Sequence, residues 1–508
     1  MQPKHLFLLI CLLFISNISR SQFITLNSKT HNTPFTPTGR PRMAAEWEPA
    51  LGTLIAWPPS LPKKLITELA IDNKLFVLVE DRNAQKDAVT TFSKWGIMPN
   101  QVKFIQAPQG VDVSWTRDWG PHAVFTQHGT MKLADGRYLY ATPKTGFTCD
   151  DSLELIYFDE KKQPLLTKTD DKIPDYIAEG MNLEIIHLPF VFTGGNVFTD
   201  GQRNGLSSCV LTNENRFSGV SDENFFLDVH QLLGLDNYHI ISNFEESGIQ
   251  HIDCLLKLLD EERIFVMRTP ADHPLYEQYE GIVENELRYM KNAYGRPYQI
   301  LRLDTDVYNS KGKLAAYSNS LILNKVVYVP LFGIPQDSIA MQQWREAMPG
   351  YTVKGFEFIL NEEKVLSPDC RTLYKEIGWN YGDALHCRAR AIWDPEMIYI
   401  SVDRPSSVVA AAENYPIVAI IKDYSLQGLV IEKTKLMWRM KGKSSWNEIP
   451  LTKSQLDDHY LGTIQGEHLN HTIEYYITAQ SLSGKTETMP RTAPQGLYEF
   501  KVEDRQKK

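Results

Sequence analysis

An α/β architecture of five repeated units, followed by an antiparallel β-sandwich, is the fold class that the sequence predicts. Three observations predict it. Helical patterns that end near a glycine and run into a short apolar strand occur five times. A polar or glycine-rich segment follows each of these units, and a further apolar strand follows the segment. After about Ser406 the helix signals fade, and short alternating strands separated by turn residues take over.

The first element is a leader. Lys4 precedes an unbroken apolar run of ten residues from Leu6 to Ile15. A membrane-spanning helix needs about 20 such residues, so this run is too short to cross. Ser19 and Ser21 are small residues at the −3 and −1 positions of a cut before Gln22. Residues 1–21 therefore read as a cleavable signal peptide and 22–42 as a linker. The mature protein is expected to be secreted or periplasmic, with no stable membrane insertion.

The catalytic α/β part is expected over 43–406. Its first unit is "NAQKDAVTTFSKWG", with Ala88, Phe92 and Trp95 on one face, Asn83 as its cap and Gly96 just past its end. The strand "VKFIQA" follows. The pattern returns around Gly180 with "LEIIHL", Gly234 with "YHIISN" and Gly295 with "YQILRL", and more loosely around Gly350 with "YTVKGFEFI". Packed about an axis, five such units bring their polar segments together at the centre. Those segments are "VDVSWTRDWGP", "FTGGNVFTDG", "SGIQHIDC", "AYSNSLILN" and "GDALHC". The strands expected after them are "HAVFT", "SCVLTN", "IFVMR", "KVVYVP" and "AIWD".

The segments hold the candidate chemistry. Read as a strand, "ALHCRARAIW" sends His386 and Cys387 to opposite faces, so a base for Cys387 must come from elsewhere in the chain. The same alternation puts His251 and Asp253 on one side of "HIDC" and turns Cys254 away as a small buried residue. Gly194 and Gly195 read as permitting a tight backbone path. Asp118 could instead pair with Arg117, His386 reads as packing, and Asp383 as a loop acceptor. The "HxD" spacing also occurs in metal sites, yet neither "HExxH" nor a spaced cysteine pair is present, and no "GxSxG" marks a serine hydrolase. No metal or cofactor is expected.

Residues 407–508 read as a β-sandwich of immunoglobulin-like type. Leu436, Trp438 and Met440 alternate, as do Ile473, Tyr475, Ile477 and Ala479, and Tyr498, Phe500 and Val502. The whole chain has 508 residues and a net charge of −9, so it offers no broad basic field for nucleic acid. Of its six cysteines, Cys11 lies in the leader. Cys149, Cys209, Cys254, Cys370 and Cys387 remain, an odd number that leaves a thiol over in an exported chain.

The motifs "WTRD", "TGGNVFTDG", "HIDC", "NSLILN" and "ALHC", in this order, resemble the Porphyromonas-type peptidylarginine deiminase family, which includes the agmatine deiminases. The resemblance covers roughly residues 43 to 400. It implies a five-bladed α/β propeller, the pentein fold. It also implies hydrolysis of a guanidino group to a ureido group and ammonia. Carried over by position, it makes Cys387 the nucleophile and His251 the general acid and base. Asp118 and Asp253 become the carboxylates that hold the guanidinium, Asn319 an active-site asparagine, and Trp115 an aromatic wall of the pocket. A planar guanidinium suits paired carboxylates, because its forked N–H groups match them two by two.

The expected partner is arginine in a peptide or protein, with agmatine or another small guanidino compound as the alternative. Export and the sandwich favour the first. So does Thr193, which stands where agmatine deiminases carry a glutamate before the two glycines. A non-catalytic arginine-binding module is the third reading. The presence together of Cys387, His251, Asp118 and Asp253 argues against it.

Overall fold

The computed structural model describes residues 35–108, 115–139, 142–143, 149, 155–156, 170–245, 249–358, 379, 384–466 and 468–504. The leader, Cys370 and Asp383 lie outside these residues.

Five sheets share one plan, in which an antiparallel neighbour flanks a parallel pair. Phe198–Thr199 runs antiparallel to Asn204–Ser208, which runs parallel to Asn237–Ile241. Leu256–Leu258, Arg263–Arg268 and Gln299–Asp304 repeat the arrangement, as do Leu321–Leu323, Val326–Leu331 and Thr352–Glu357. A fourth sheet joins Arg42–Met43, His122–Phe125, Met131–Arg137 and Ile185–Val191. The fifth joins the two ends of this region: Arg390–Trp393 pairs antiparallel with Ala50–Ala56, and Lys74–Val79 and Val102–Gln106 follow in parallel.

Parallel neighbours need a crossover, and helices supply it in each sheet. They are Lys63–Asp72 and Arg82–Lys94, Ile173–Met181, Val210–Phe217 with Asp222–Leu233, Tyr276–Asn285, and Gln336–Ala347. In the fifth sheet the inner strand Lys74–Val79 is apolar after its first residue because helices and neighbouring strands cover it. Leu75, Phe76, Val77, Leu78 and Val79 are all buried.

All five strands expected after the glycines are present: Val102–Gln106, Ile185–Val191, Asn237–Ile241, Gln299–Asp304 and Thr352–Glu357. Local details differ. Asp81, not Asn83, caps the helix Arg82–Lys94, its carboxylate accepting from the backbone N–H groups of Asn83 and Ala84 at 2.8 Å each. Gly180 lies inside its helix, and Asn182 takes the left-handed position at φ 55°. The glycine has a packing reason instead: a β-carbon there would press on Ile105 at 3.0 Å. "SCVLTN" is not a strand. The strand is Asn204–Ser208, and the Val-Leu-Thr run opens the helix Val210–Phe217. A disulfide ties Cys149 to Cys209 just before that helix.

From Ile398 onward two further sheets share a separate core. One contains Ile398–Asp403, Asn414–Asp423, Thr452–Lys453 and His459–Gln465. The other is built on Lys435–Met440, Thr472–Gln480 and Tyr498–Glu503. Ile400, Ile417 and Ile464 of the first meet Leu436, Ile473, Ile477 and Phe500 of the second. Arg42 links this region to the five sheets. Its buried guanidinium donates to both carboxylate oxygens of Glu48 at 2.6 and 2.9 Å, to the Tyr424 hydroxyl at 2.8 Å, and to the Gly201 carbonyl at 2.9 Å. Among the described residues, no helix is long and apolar enough to cross a membrane.

Candidate active site

The five polar segments form a ring, each hydrogen-bonded to the next in chain order. Gly194 N–H donates to the Asp118 carbonyl at 3.0 Å. Ile252 N–H donates to Asn196 Oδ1 at 3.1 Å. Ser318 Oγ donates to the Asp253 carbonyl at 3.0 Å. His386 N–H donates to the Asn319 carbonyl at 3.1 Å, and Arg117 N–H donates to the Cys387 carbonyl at 3.0 Å. The residues that make these bonds lie outside the strands, so their backbone groups are not used in ladders and remain available for one another.

Asp118, His251, Asp253, Asn319 and Cys387 all meet inside this ring, and all are buried. A β-carbon placed on Gly195 would lie 2.6 Å from Asp118 Oδ1, 2.8 Å from His251 Nδ1 and 3.3 Å from Asp253 Oδ2. The glycine therefore leaves open the space around which these three groups stand. Gly194 answers a different need, since a β-carbon there would sit 2.0 Å from the Arg117 carbonyl oxygen. Cys387 Sγ lies 3.5 Å from Asp253 Oδ2 and 3.2 Å from Asn319 Nδ2. Trp115, three residues before Asp118 in the first segment, is half-buried.

Asn319 acts as a template for the turn that carries Cys387. Its Oδ1 accepts from the backbone N–H groups of Ala384 and His386 at 3.0 Å each and of Cys387 at 3.3 Å. Its amide nitrogen is thereby turned onto sulfur. Asn196 plays a comparable part between the second and third segments, accepting from Ser208 and Ile252.

Two alternation arguments fail here, for one reason. Ile252–Cys254 and His386–Arg388 are 3₁₀ turns, and the strand after Cys387 begins only at Arg390. Successive side chains on so tight a turn step round by about 120° and can share a side. His386 and Cys387 accordingly both reach Asp253 Oδ2, His386 Nδ1 at 2.7 Å. Cys254 does not turn away as a buried small residue. It is half-buried, and its Sγ contacts Asp253 Oδ1 at 3.5 Å. Nor does Arg117 pair with Asp118 in place of a ligand; its Nε donates to the His386 carbonyl at 3.2 Å.

Charge sets the site's protonation. Burial alone pushes the His251 imidazole down. The carboxylate of Asp118 at 3.5 Å, with those of Asp253 and Glu214, overcomes burial and raises it to about 9. Burial likewise opposes ionisation of Asp253, but the hydrogen bond and charge of His386, helped by His251, hold it below the usual carboxylate range.

Three residues belong to this environment with no motif to mark them. Glu46 contacts His386 Nε2 at 2.5 Å and Lys257 Nζ at 3.2 Å. Both ring nitrogens of His386 face carboxylates, while burial and the nearby Arg117 push its imidazole down. Glu214, on the helix Val210–Phe217, is buried, and burial pushes its carboxyl up to about 8 against the pull of His251. A lone Glu in "AAEWEPA" or "LTNENRF" carries no signal in the sequence; only the assembled fold brings these groups to the ring.

The chain is similar to two curated relatives provisionally named agmatine deiminase. That of Mycoplasma mycoides is 23% identical over 350 residues, spanning 61% of this chain and 89% of the relative. That of Streptomyces coelicolor is 24% identical over 369 residues, spanning 68% and 97%. Among solved structures, the agmatine deiminase of Enterococcus faecalis superposes with a TM-score of 0.51 at 19% identity, over 72% of this chain and 99% of that one. A provisionally named arginine deiminase from Porphyromonas gingivalis gives 0.51 at 19%, over 70% and 99%. These structures share the α/β fold of mixed sheets. The profile that describes the Porphyromonas-type peptidyl-arginine deiminases matches residues 42–360, and the chain belongs to that family.

Proposed function

We propose that the chain is a hydrolase that removes ammonia from a guanidino group, with agmatine or a closely related small guanidino compound as substrate. The observation that carries this reading is the grouping of Asp118, His251 and Asp253 around the space beside Gly195, with Cys387 Sγ 3.5 Å from Asp253. Two carboxylates next to a thiol disfavour an empty thiolate. A cationic substrate between them removes that penalty and favours the anion that attacks.

Asp118 and Asp253 hold the guanidinium, and Cys387 Sγ adds to its central carbon. His251, charged at neutral pH beside Asp118, passes its proton to the departing nitrogen, and ammonia leaves. The S-alkylthiouronium that remains is attacked by water, whose proton returns to His251. The carbon–sulfur bond breaks and the ureido product departs. Asn319 donates to sulfur and holds its turn, and Trp115 borders the pocket. No step calls on a metal or cofactor.

The five sheets and their ring of segments support a five-bladed propeller of pentein type. The two sheets beyond it support an immunoglobulin-like sandwich. The pairing of Ile398–Asp403 with Asn414–Asp423 supports a division near residue 397, whereas the texture of the sequence supports one at 406/407. Export to the periplasm or medium is proposed from the leader.

Arginine in a peptide or protein is the second reading. Thr193 favours it, because the glutamate that agmatine deiminases carry before the two glycines is missing here. Incubating the protein with agmatine and with a peptide ending in arginine, and assaying ureido product, separates the readings. Product from agmatine alone is expected. Product from the peptide alone transfers the substrate to arginine chains, and product from neither guanidine overturns the enzyme reading.

A further inference from the structure

The ring contains a second sulfur that the mechanism does not use. The side-chain ligand atoms of Asp253, Cys254 and Cys387 all lie within 4.8 Å of one another, so the two sulfurs are near neighbours. Asn319 Nδ2 faces both, at 3.2 Å from Cys387 and 3.6 Å from Cys254. Asp253 touches one sulfur with each oxygen, at 3.5 Å in both cases. The two thiols differ in access, since Cys387 is fully buried and Cys254 half-buried.

We propose that Cys254 and Cys387 form a two-thiol modification site, at which a hydroperoxide converts the nucleophile into a Cys254–Cys387 disulfide. The minor fraction of Cys387 that is ionised in the empty site attacks the terminal peroxide oxygen. The O–O bond breaks, sulfur is oxidised to a sulfenic acid, and the peroxide is reduced to water or an alcohol. Cys254 sulfur then attacks the sulfenic sulfur. The S–O bond breaks, hydroxide leaves and takes up the Cys254 proton as water, and the S–S bond forms. Overall, one hydroperoxide and two thiols give one disulfide, and the two oxygens leave as water, or as water and an alcohol. The same amide that steadies a thiolate at Asn319 faces both partners of this step. Cys254 sits at the end of the 3₁₀ turn Ile252–Cys254, next to the Asp253 that both sulfurs touch. The bond hides the nucleophile from guanidine and from further oxidation to a sulfinic acid, a step that dithiols do not reverse.

This goes beyond the deiminase reading but rests on Cys387 being the reactive thiolate. The test therefore reads the bond as well as turnover. The full chain is treated with hydrogen peroxide in the presence of a chelator, alkylated, and cut with trypsin without reduction. Lys257 and Arg388 end the two tryptic peptides concerned, so a crosslink between them is unambiguous in mass. We expect that linked peptide, lost on treatment with dithiothreitol, together with turnover that falls and then recovers. Cys254→Ser is expected to retain turnover before oxidation. After the same exposure it accumulates sulfinic acid on Cys387 and recovers about tenfold less activity than wild type. Absence of the linked peptide, or equal recovery in Cys254→Ser, overturns the proposal. A linked peptide in a protein that turns over no guanidine keeps this site and removes the deiminase reading.

Discussion

Cys387, His251 and the two aspartates are tied together by charge, so single changes separate chemistry from structure. Cys387→Ala removes the proposed nucleophile and little volume from a buried site. Turnover is expected to vanish while the melting temperature stays within a few degrees of wild type, read by ureido assay and calorimetry. His251 provides a pH test. Its imidazole is raised to about 9 chiefly by Asp118, against burial. Below that pH the proton for the leaving nitrogen is present, and the rate is expected to fall as pH rises through about 9. Asp118→Asn removes the nearest anion, which destabilises the imidazolium. The His251 titration followed by NMR is therefore expected to move to lower pH. An unmoved titration would mean that Asp118 does not hold this ring.

At the level of turns and strands, Gly194 and Gly195 are adjacent but should fail differently. Gly194→Ala drives a β-carbon into the Arg117 carbonyl, and rigid backbone must shift. A loss of about 1–3 kcal/mol, measured by denaturant unfolding, is expected. Gly195→Ala instead fills the space among Asp118, His251 and Asp253, so activity is expected to disappear at nearly unchanged stability. Asn319→Ala orphans the N–H groups of Ala384 and Cys387, and a cost of about 1–3 kcal/mol is expected along with lost activity. The polar segments were legible before any coordinates because helix–glycine–strand punctuation depends on local backbone preferences. The 3₁₀ turns were not. Four residues such as "HIDC" carry no period that distinguishes a strand from a tight turn. The face of Cys254 and the shared carboxylate of His386 and Cys387 were misread on that account. Glu46 and Lys257 were invisible for another reason: their meeting with His386 is a product of long-range closure.

Across the whole molecule, the five sheets and the chain beyond Ile398 meet around Arg42, whose guanidinium is fully buried against Glu48 and stands 4.1 Å over the Tyr399 ring. Arg42→Ala leaves Glu48 buried and uncompensated, and a loss of about 3–5 kcal/mol in unfolding free energy is expected. The closing sheet has a further consequence. Arg390–Trp393 lies against Ala50–Ala56, and Cys387 stands just ahead of that last strand. On the ribosome, the carboxylates and the imidazole emerge long before the sulfur that completes them. A nascent or prematurely ended chain therefore holds no working centre, and reactivity toward guanidines begins only when the final strand docks beside the earliest ones.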